Sequence, residues 1–472
     1  MSKLDKDVLF LILKELQDDK RSLYSCLLVN RTWCKITVPM LWKNPGEFFP
    51  IYNAKNSLFY YNTKNSLFNV VLSHLSEESR DILRDHGINI MDTYQRPLFD
   101  YISFWRHLNL LDSIDDKGIF EEHNMIIITI LILKLFINSD TRFTHLHISK
   151  QLDYVLNHIS WAENCFSELE CFQCDSEHVD PNIFEELSRV SKSIKKLELN
   201  NLHINNGIIK LIEAQKNLKD VGFVTSAREK SACKALEESL MKNADTIQCL
   251  KMDWIPMMKT LSHLVNLINL DMSWDLKDCS NENDWDLLEN VSLPFIKVLK
   301  ARQVPSKILS SLIENTKGQL VEINIFNWYF EDLYSGRIII QSIYKNCPNL
   351  QYLKLLFNKD NFLELEKLLV NCQNLIGIFI FSEMFRESDW IEFFKILAQS
   401  SPNSLNILEF STIDSCKLET LAMFFDNWNG RQPMSLSTLR PVCTNLELEK
   451  YSEVFEEYKS KGVVKDYYYF DF

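Results

Sequence analysis

Glycine is the scarcest common residue in this chain, with ten in 472 positions, about 2% against the usual share of roughly 7%. No two glycines stand two residues apart. The chain therefore has no G-x-G-x-x-G dinucleotide loop, no G-x-x-x-x-G-K-[ST] phosphate loop and no G-x-S-x-G nucleophile elbow. Those motifs need glycine because the backbone must approach a phosphate closely or turn at positive φ. Their absence argues against nucleotide enzymes and hydrolases. Proline is also sparse, at twelve residues. No run of about 20 apolar residues exists to span a bilayer. The strongest, Met125 to Ile137, is interrupted by Lys134 and reads as a buried helix or strand. A formal charge of −13 leaves no basic field for nucleic acid. Lys192, Lys195 and Lys196 read as a solvated edge. No H-E-x-x-H motif is present. The twelve cysteines are scattered, and the opening MSKLDKDVLF is charged from its third residue. Both features are expected of a chain in a reducing, intracellular compartment.

What is present is an ordinary hydrophobic fraction, 46%, enough for a large core. Two blocks stand out. Residues 1–45 hold eight Lys and Arg against five Asp and Glu, while the rest of the chain sums to −16. This reversal marks a separate module with its own partner. Asp5 is placed to cap a helix whose apolar residues Val8, Leu9, Ile12, Leu13 and Leu16 share one face. Leu11 widens that arc, so the helix is either buried on two sides or exposes an apolar strip. After Asp18, Asp19 and Lys20, a second helical stretch carries Leu23, Cys26, Leu27 and Val29. Trp33, Ile36 and the exit Pro39-Met40-Leu41-Trp42 complete the block. So small a unit is expected to pack on the rest of the chain or on another protein.

From residue 143 a second pattern recurs: apolar-x-x-apolar-x-apolar. The eleven copies begin at Phe143, Phe166, Ile194, Leu218, Ile247, Leu267, Ile296, Leu320, Leu350, Leu375 and Leu405. Their spacing averages about 26 residues, within the range of leucine-rich repeats. The intervening segments IFEELSRV, GIIKLIEA, KALEESLM, RIIIQSIYKN, LELEKLLV and WIEFFKILA carry apolar residues at helical spacing. Strand and helix thus alternate, and stacking buries what neither covers alone. The expected fold is an α/β solenoid over 143–432, with a parallel sheet on the concave side and helices on the convex side. Residues 46–142 read as a mainly helical connector and cap. Residues 433–472 read as a C-terminal cap.

Within each copy the fourth and sixth positions face the core, and the third, fifth and seventh face the open side. The early copies place polar residues there, such as His145, His147, Glu168 and Glu170. The late copies place Phe326, Tyr352, Leu356, Phe379, Phe381 and Ile407. Such an apolar patch either contacts a target protein or is covered by the tail Tyr467 to Phe472. Cys171, Cys174 and His178 approach a zinc spacing, but Cys171 and Cys174 fall on repeat positions that take Cys for structural reasons. No third ligand accompanies His145 and His147.

The first block resembles the F-box. Leu4, Asp7, Val8, Leu9, Ile12, Leu13 and Leu16 match the first part of the family pattern. Leu23, Leu27, Leu28, Val29, Asn30, Arg31, Trp33, Leu41 and Trp42 match the second, in a form like that of fungal members. Asp5 stands where the family has Pro. The later block resembles leucine-rich repeats of the cysteine-containing type found behind F-boxes, although the ninth-position Asn or Cys survives only as Cys174 and Asn358.

The resemblance implies the substrate-recognition subunit of an SCF-type (cullin-RING) ubiquitin ligase, located in cytoplasm or nucleus. Leu4, Val8, Leu9, Ile12, Leu13, Leu16, Leu27, Val29, Trp33, Leu41 and Trp42 would bind the Skp-type adaptor, and through it the cullin. The repeats would hold a protein target. It implies no enzyme activity, no catalytic residue, no cofactor and no metal, and neither nucleic acid nor membrane as a partner. The alternative is a non-enzymatic leucine-rich-repeat scaffold or inhibitor.

Overall fold

Alternation of short apolar strands with amphipathic helices dictates the architecture. A computed structural model describes residues 5–45, 70–87, 97–110, 122–138, 140–149, 164–175, 180–226, 229–273, 282–326, 335–381, 385–410, 416–428, 430–439 and 445–470. Two units are distinguished, Met1–Asp220 with Val224–Ala227, and Val221–Phe223 with Arg228–Phe472.

The first unit opens with three helices, α1 (Lys6–Glu15), α2 (Lys20–Leu27) and α3 (Arg31–Leu41). Strands β1 (His107–Leu110), β2 (His145–Ser149), β3 (Cys171–Asp175) and β4 (Lys196–Leu202) follow and pair in parallel, in chain order. Strand β5 (Asp220–Thr225) falls at the division between the units. The second unit continues with β6 (Cys249–Met252), β7 (Asn269–Ser273), β8 (Val298–Arg302), β9 (Glu322–Phe326), β10 (Tyr352–Leu356), β11 (Gly377–Phe381), β12 (Ile407–Phe410), β13 (Met434–Leu439) and β14 (Val464–Phe470). These too are parallel and in chain order. The α/β class and the parallel sheet agree with expectation.

One backbone device recurs at most steps from β1 to β12. The carbonyl one residue before a strand accepts two successive N–H groups from the next copy. Ile268 O, for example, accepts from Lys297 (2.7 Å) and Val298 (3.1 Å), and Ile376 O accepts from Asn406 and Ile407, both at 3.0 Å. All eleven copies hold a strand. Ten of them bury their fourth and sixth residues, as with Leu270 and Met272 or Leu353 and Leu355.

The copy at Phe166 is displaced. The buried residues are Leu169, Phe172 and Cys174, so the repeat starts three residues later. Phe166, Leu169 and Phe172 are evenly spaced and apolar, which lets two registers satisfy the pattern. Cys171, Gln173 and Asp175, rather than Glu168 and Glu170, therefore occupy the open face.

Strands also extend past the expected limits. β1 lies within the stretch read as helical connector, and β13 and β14 lie within the stretch read as a cap. The helix Glu122–Phe136 holds most of the apolar run and buries Leu131, Ile132, Leu133 and Phe136. The expected helices form Pro181–Val190, Asn206–Glu213, Lys230–Met241, Ser335–Asn346, Phe362–Asn371 and Glu387–Ser400. Late in the second unit the core is aromatic. Trp390 packs on Phe385, Phe394 and Phe410 at centroid distances of 5.1 to 5.5 Å, and Phe394 stacks on Phe424 at 4.5 Å.

One of the few glycines is required by close approach. A Cβ on Gly207 would lie 2.6 Å from Pro181 O and 3.0 Å from Phe184 Cβ, between the helices Asn206–Glu213 and Pro181–Val190. Gly207→Ala is expected to destabilise the fold by about 1–3 kcal/mol through overpacking, outweighing the helix-propensity gain. Chemical denaturation measures this, and an unchanged or raised midpoint would refute it.

Candidate functional site

The three N-terminal helices are locally well specified. Asn30 Oδ1 caps α3 by accepting from Thr32 N (2.9 Å) and Trp33 N (3.1 Å). Asp19 caps α2 by accepting from Ser22 N and Ser22 Oγ, contacts that hold its carboxyl below the usual range. Asp5 does occupy the N-cap position of α1, yet its carboxylate makes no capping bond. Pro39 lies inside α3, two residues from its end, so the expected exit is still helical.

The module has its own small core: Leu9, Leu13, Leu23, Cys26 and Leu41, with Leu16, Leu27, Trp33, Ile36, Met40 and Trp42 packed against it. This corrects the expected adaptor set. Leu9, Leu13 and Leu41 hold the helices together and have almost no surface to offer. Leu16, Leu27 and Trp33 lean on that core. Trp42 faces the connector, its ring 4.2 Å from Tyr101 and 6.3 Å from Trp105. Trp105 in turn meets Phe136 at 4.6 Å. Leu4 lies outside the described residues.

Val8, Ile12 and Val29 are exposed, as the adaptor reading needs. So are Phe10, Leu11, Tyr24 and Leu28, which that set left out. Leu11 and Leu28 are 60% and 88% exposed. On α1 the residues Leu11, Val8 and Ile12 form a continuous strip beside the core-facing stripe of Leu9, Leu13 and Leu16. Among the described residues, seven of the nineteen exposed large hydrophobics fall between Val8 and Val29. That concentration is more than the scattered single exposures of an ordinary surface. Lys6, Lys14, Arg21, Arg31 and Lys35 are exposed on the same module and favour an acidic partner.

The second surface is the open face of the sheet, where alternate strand residues are only part-buried. In the first unit it is polar and internally satisfied. His107 and His145 stack at 3.8 Å with ring planes 8° apart. Burial holds the His145 imidazole below its ordinary value, and Lys43 acts the same way. His147 Nε2 lies 2.7 Å from Asp175 Oδ2, and Asn200 Nδ2 donates to Asp175 Oδ1 at 2.5 Å. Cys174 is core while Cys171 is on the open face, so the two thiols point apart and cannot share a metal. His178 lies outside the described residues. Among the described residues no three His, Cys, Asp or Glu side chains converge as a metal would need. Their ten cysteines are all free.

In the second unit, one row on successive strands reads Lys251, Asp271, Lys300, Asn324, Lys354, Phe379, Glu409, Ser437 and Tyr468. Phe379 corrects the expected exposed patch. It is only 6% exposed, because the neighbouring strands bring Lys354 and Glu409 to its two sides and Lys354 Nζ sits 3.9 Å from its ring centroid. Tyr352 and Ile407 are exposed, and Phe326 and Leu356 are half-buried. Phe381 is on β11, its side chain outside the described residues. Among the described residues the tail does not fold over this face. Its residues from Val464 to Phe470 form β14 beside β13, with Tyr467 packed on Phe455 and Tyr468 exposed.

Compared with known proteins, the chain matches no family model, and none of the curated proteins matches it. Among the described residues no helix is long and apolar enough to cross a membrane.

Proposed function

We propose that this chain is the substrate-recognition subunit of an SCF-type ubiquitin ligase. The observation that carries the reading is the N-terminal module: three helices, two of them capped, around a minimal core, with seven large apolar side chains left on the surface. The F-box resemblance of the same residues gives that surface a partner, the Skp-type adaptor. Val8, Leu11, Ile12, Tyr24, Leu28 and Val29 are the proposed contacts, and the exposed lysines and arginines steer the encounter. The parallel repeats then present their open face to a protein target.

In this scheme ubiquitin transfer takes place on other subunits, and this chain supplies no catalytic group or cofactor. Its contribution is proximity, raising the target's local concentration beside the charged ubiquitin carrier. Curvature of the repeats around the target belongs to the same proposal. The chain mixed with a purified Skp-type adaptor is expected to elute from size exclusion as a 1:1 complex. Separate elution at micromolar concentrations would leave the repeat scaffold as the better reading.

A further inference from the structure

The open face of β10 to β14 combines exposed apolar surface with unpaired negative charge. Tyr352, Gly377, Ile407, Ser435 and Asp466 form one row across it, and Lys354, Phe379, Glu409, Ser437 and Tyr468 the next. Ser435 and Ser437 on β13 are small, with Ile407 and Glu409 on β12 to one side and Asp466 and Tyr468 on β14 to the other. The Tyr352 ring lies over Gly377, where an added Cβ would be only 3.0 Å from Tyr352 Cδ1. At the far side Tyr468 is 61% exposed. From Glu409 on β12 to Tyr468 on β14 there are two strand spacings, roughly 10 Å. A trough of that width takes one extended segment or one helix, whose diameter is about 10 Å.

Its two sides each carry a carboxylate, Glu409 on β12 and Asp466 on β14. Neither Glu409 nor Asp466 makes an ion pair or a hydrogen bond from its side chain among the described residues, and Asp466 Oδ1 is buried without a partner. Lys354 is engaged with the Phe379 ring. Burial pushes the Glu409 carboxyl up, with Lys354 opposing only in part. Part-desolvated carboxylates flanked by aromatic faces fit a cation that brings its own apolar neighbours.

We infer that this trough binds a segment of the target protein in which Lys or Arg stands beside an aliphatic or aromatic residue, the cation meeting Glu409 and Asp466 and the apolar side chain resting on Tyr352 and Ile407. The inference rests on the substrate-receptor reading and names its substrate class.

The test uses the full chain without adaptor and a degenerate synthetic peptide library with one fixed central residue. Captured peptides should be enriched for central Lys or Arg next to Leu, Ile, Phe or Tyr. The E409Q/D466N double variant should weaken that capture roughly 30-fold or more. E409K should shift the preference toward central Asp or Glu, a gain that a misfolded variant cannot produce. Capture indifferent to central charge, or unchanged in E409Q/D466N, overturns the inference. So does a wild-type dimer that E409Q/D466N converts to monomer, which would make a second copy the occupant. Adaptor co-elution is measured separately, so a failure of the ligase reading and a failure of this trough are distinguishable.

Discussion

Leu28→Asp is expected to remove Skp-type adaptor binding while leaving the fold intact. Leu28 is 88% exposed, so the substitution deletes no core contact. A charge placed at the centre of a buried apolar interface costs about 2–4 kcal/mol, or roughly 30- to 1000-fold in affinity. Leu11→Asp should act in the same direction. Leu13→Ala makes the informative contrast. Leu13 is fully buried, and its truncation should cost about 2–5 kcal/mol of stability, lowering adaptor binding only by unfolding the module. Calorimetric titration together with circular dichroism separates the two effects. Undiminished binding by Leu28→Asp would move the adaptor to another surface.

The second large effect concerns Glu237. This carboxylate is fully buried on the helix Lys230–Met241 and accepts four hydrogen bonds. They come from Trp254 Nε1 (3.0 Å), Met257 N (2.8 Å), Met258 N (3.1 Å) and Thr260 Oγ1 (2.7 Å). One side chain thus organises the whole turn between β6 and the short helix Thr260–His263. Glu237→Ala strands four donors, two of them buried and two part-buried, and should destabilise the second unit by about 3–5 kcal/mol. Glu237→Gln keeps the volume but turns an NH2 toward donors, and about 1–3 kcal/mol is expected. Urea denaturation followed by tryptophan fluorescence reads both. A loss under about 1 kcal/mol for Glu237→Ala would mean that water replaces the carboxylate.

Much of this organisation was legible in the sequence because the repeat is local. Two apolar residues two apart, followed by a helical stripe, suffice to place a strand, and ten of the eleven copies fell in register. The copy at Phe166 failed where a third apolar residue at equal spacing made two registers equivalent. β1, β13 and β14 were missed because segments such as HLNL and SLSTL offer too little of the pattern to stand out.

Long-range consequences were not legible. Phe379 is open in its own strand and becomes buried only through Lys354 and Glu409, 25 and 30 residues away. Glu237 looks like any surface glutamate on an amphipathic helix until the following turn closes on it. In the N-terminal module the residue types pointed to an F-box. Dividing core from surface required helical phase: Leu9 and Leu13 point inward, whereas Leu11 and Leu28, equally apolar, point to solvent.

Under the proposed function, the exposed apolar face of the N-terminal helices docks an adaptor. Hydrogen–deuterium exchange of the full chain, with and without purified Skp-type adaptor, tests this most directly. The expected result is slowed exchange concentrated in residues 6–29, with the strands from β6 onward unchanged. Exchange in residues 6–29 unaffected by saturating adaptor would contradict it.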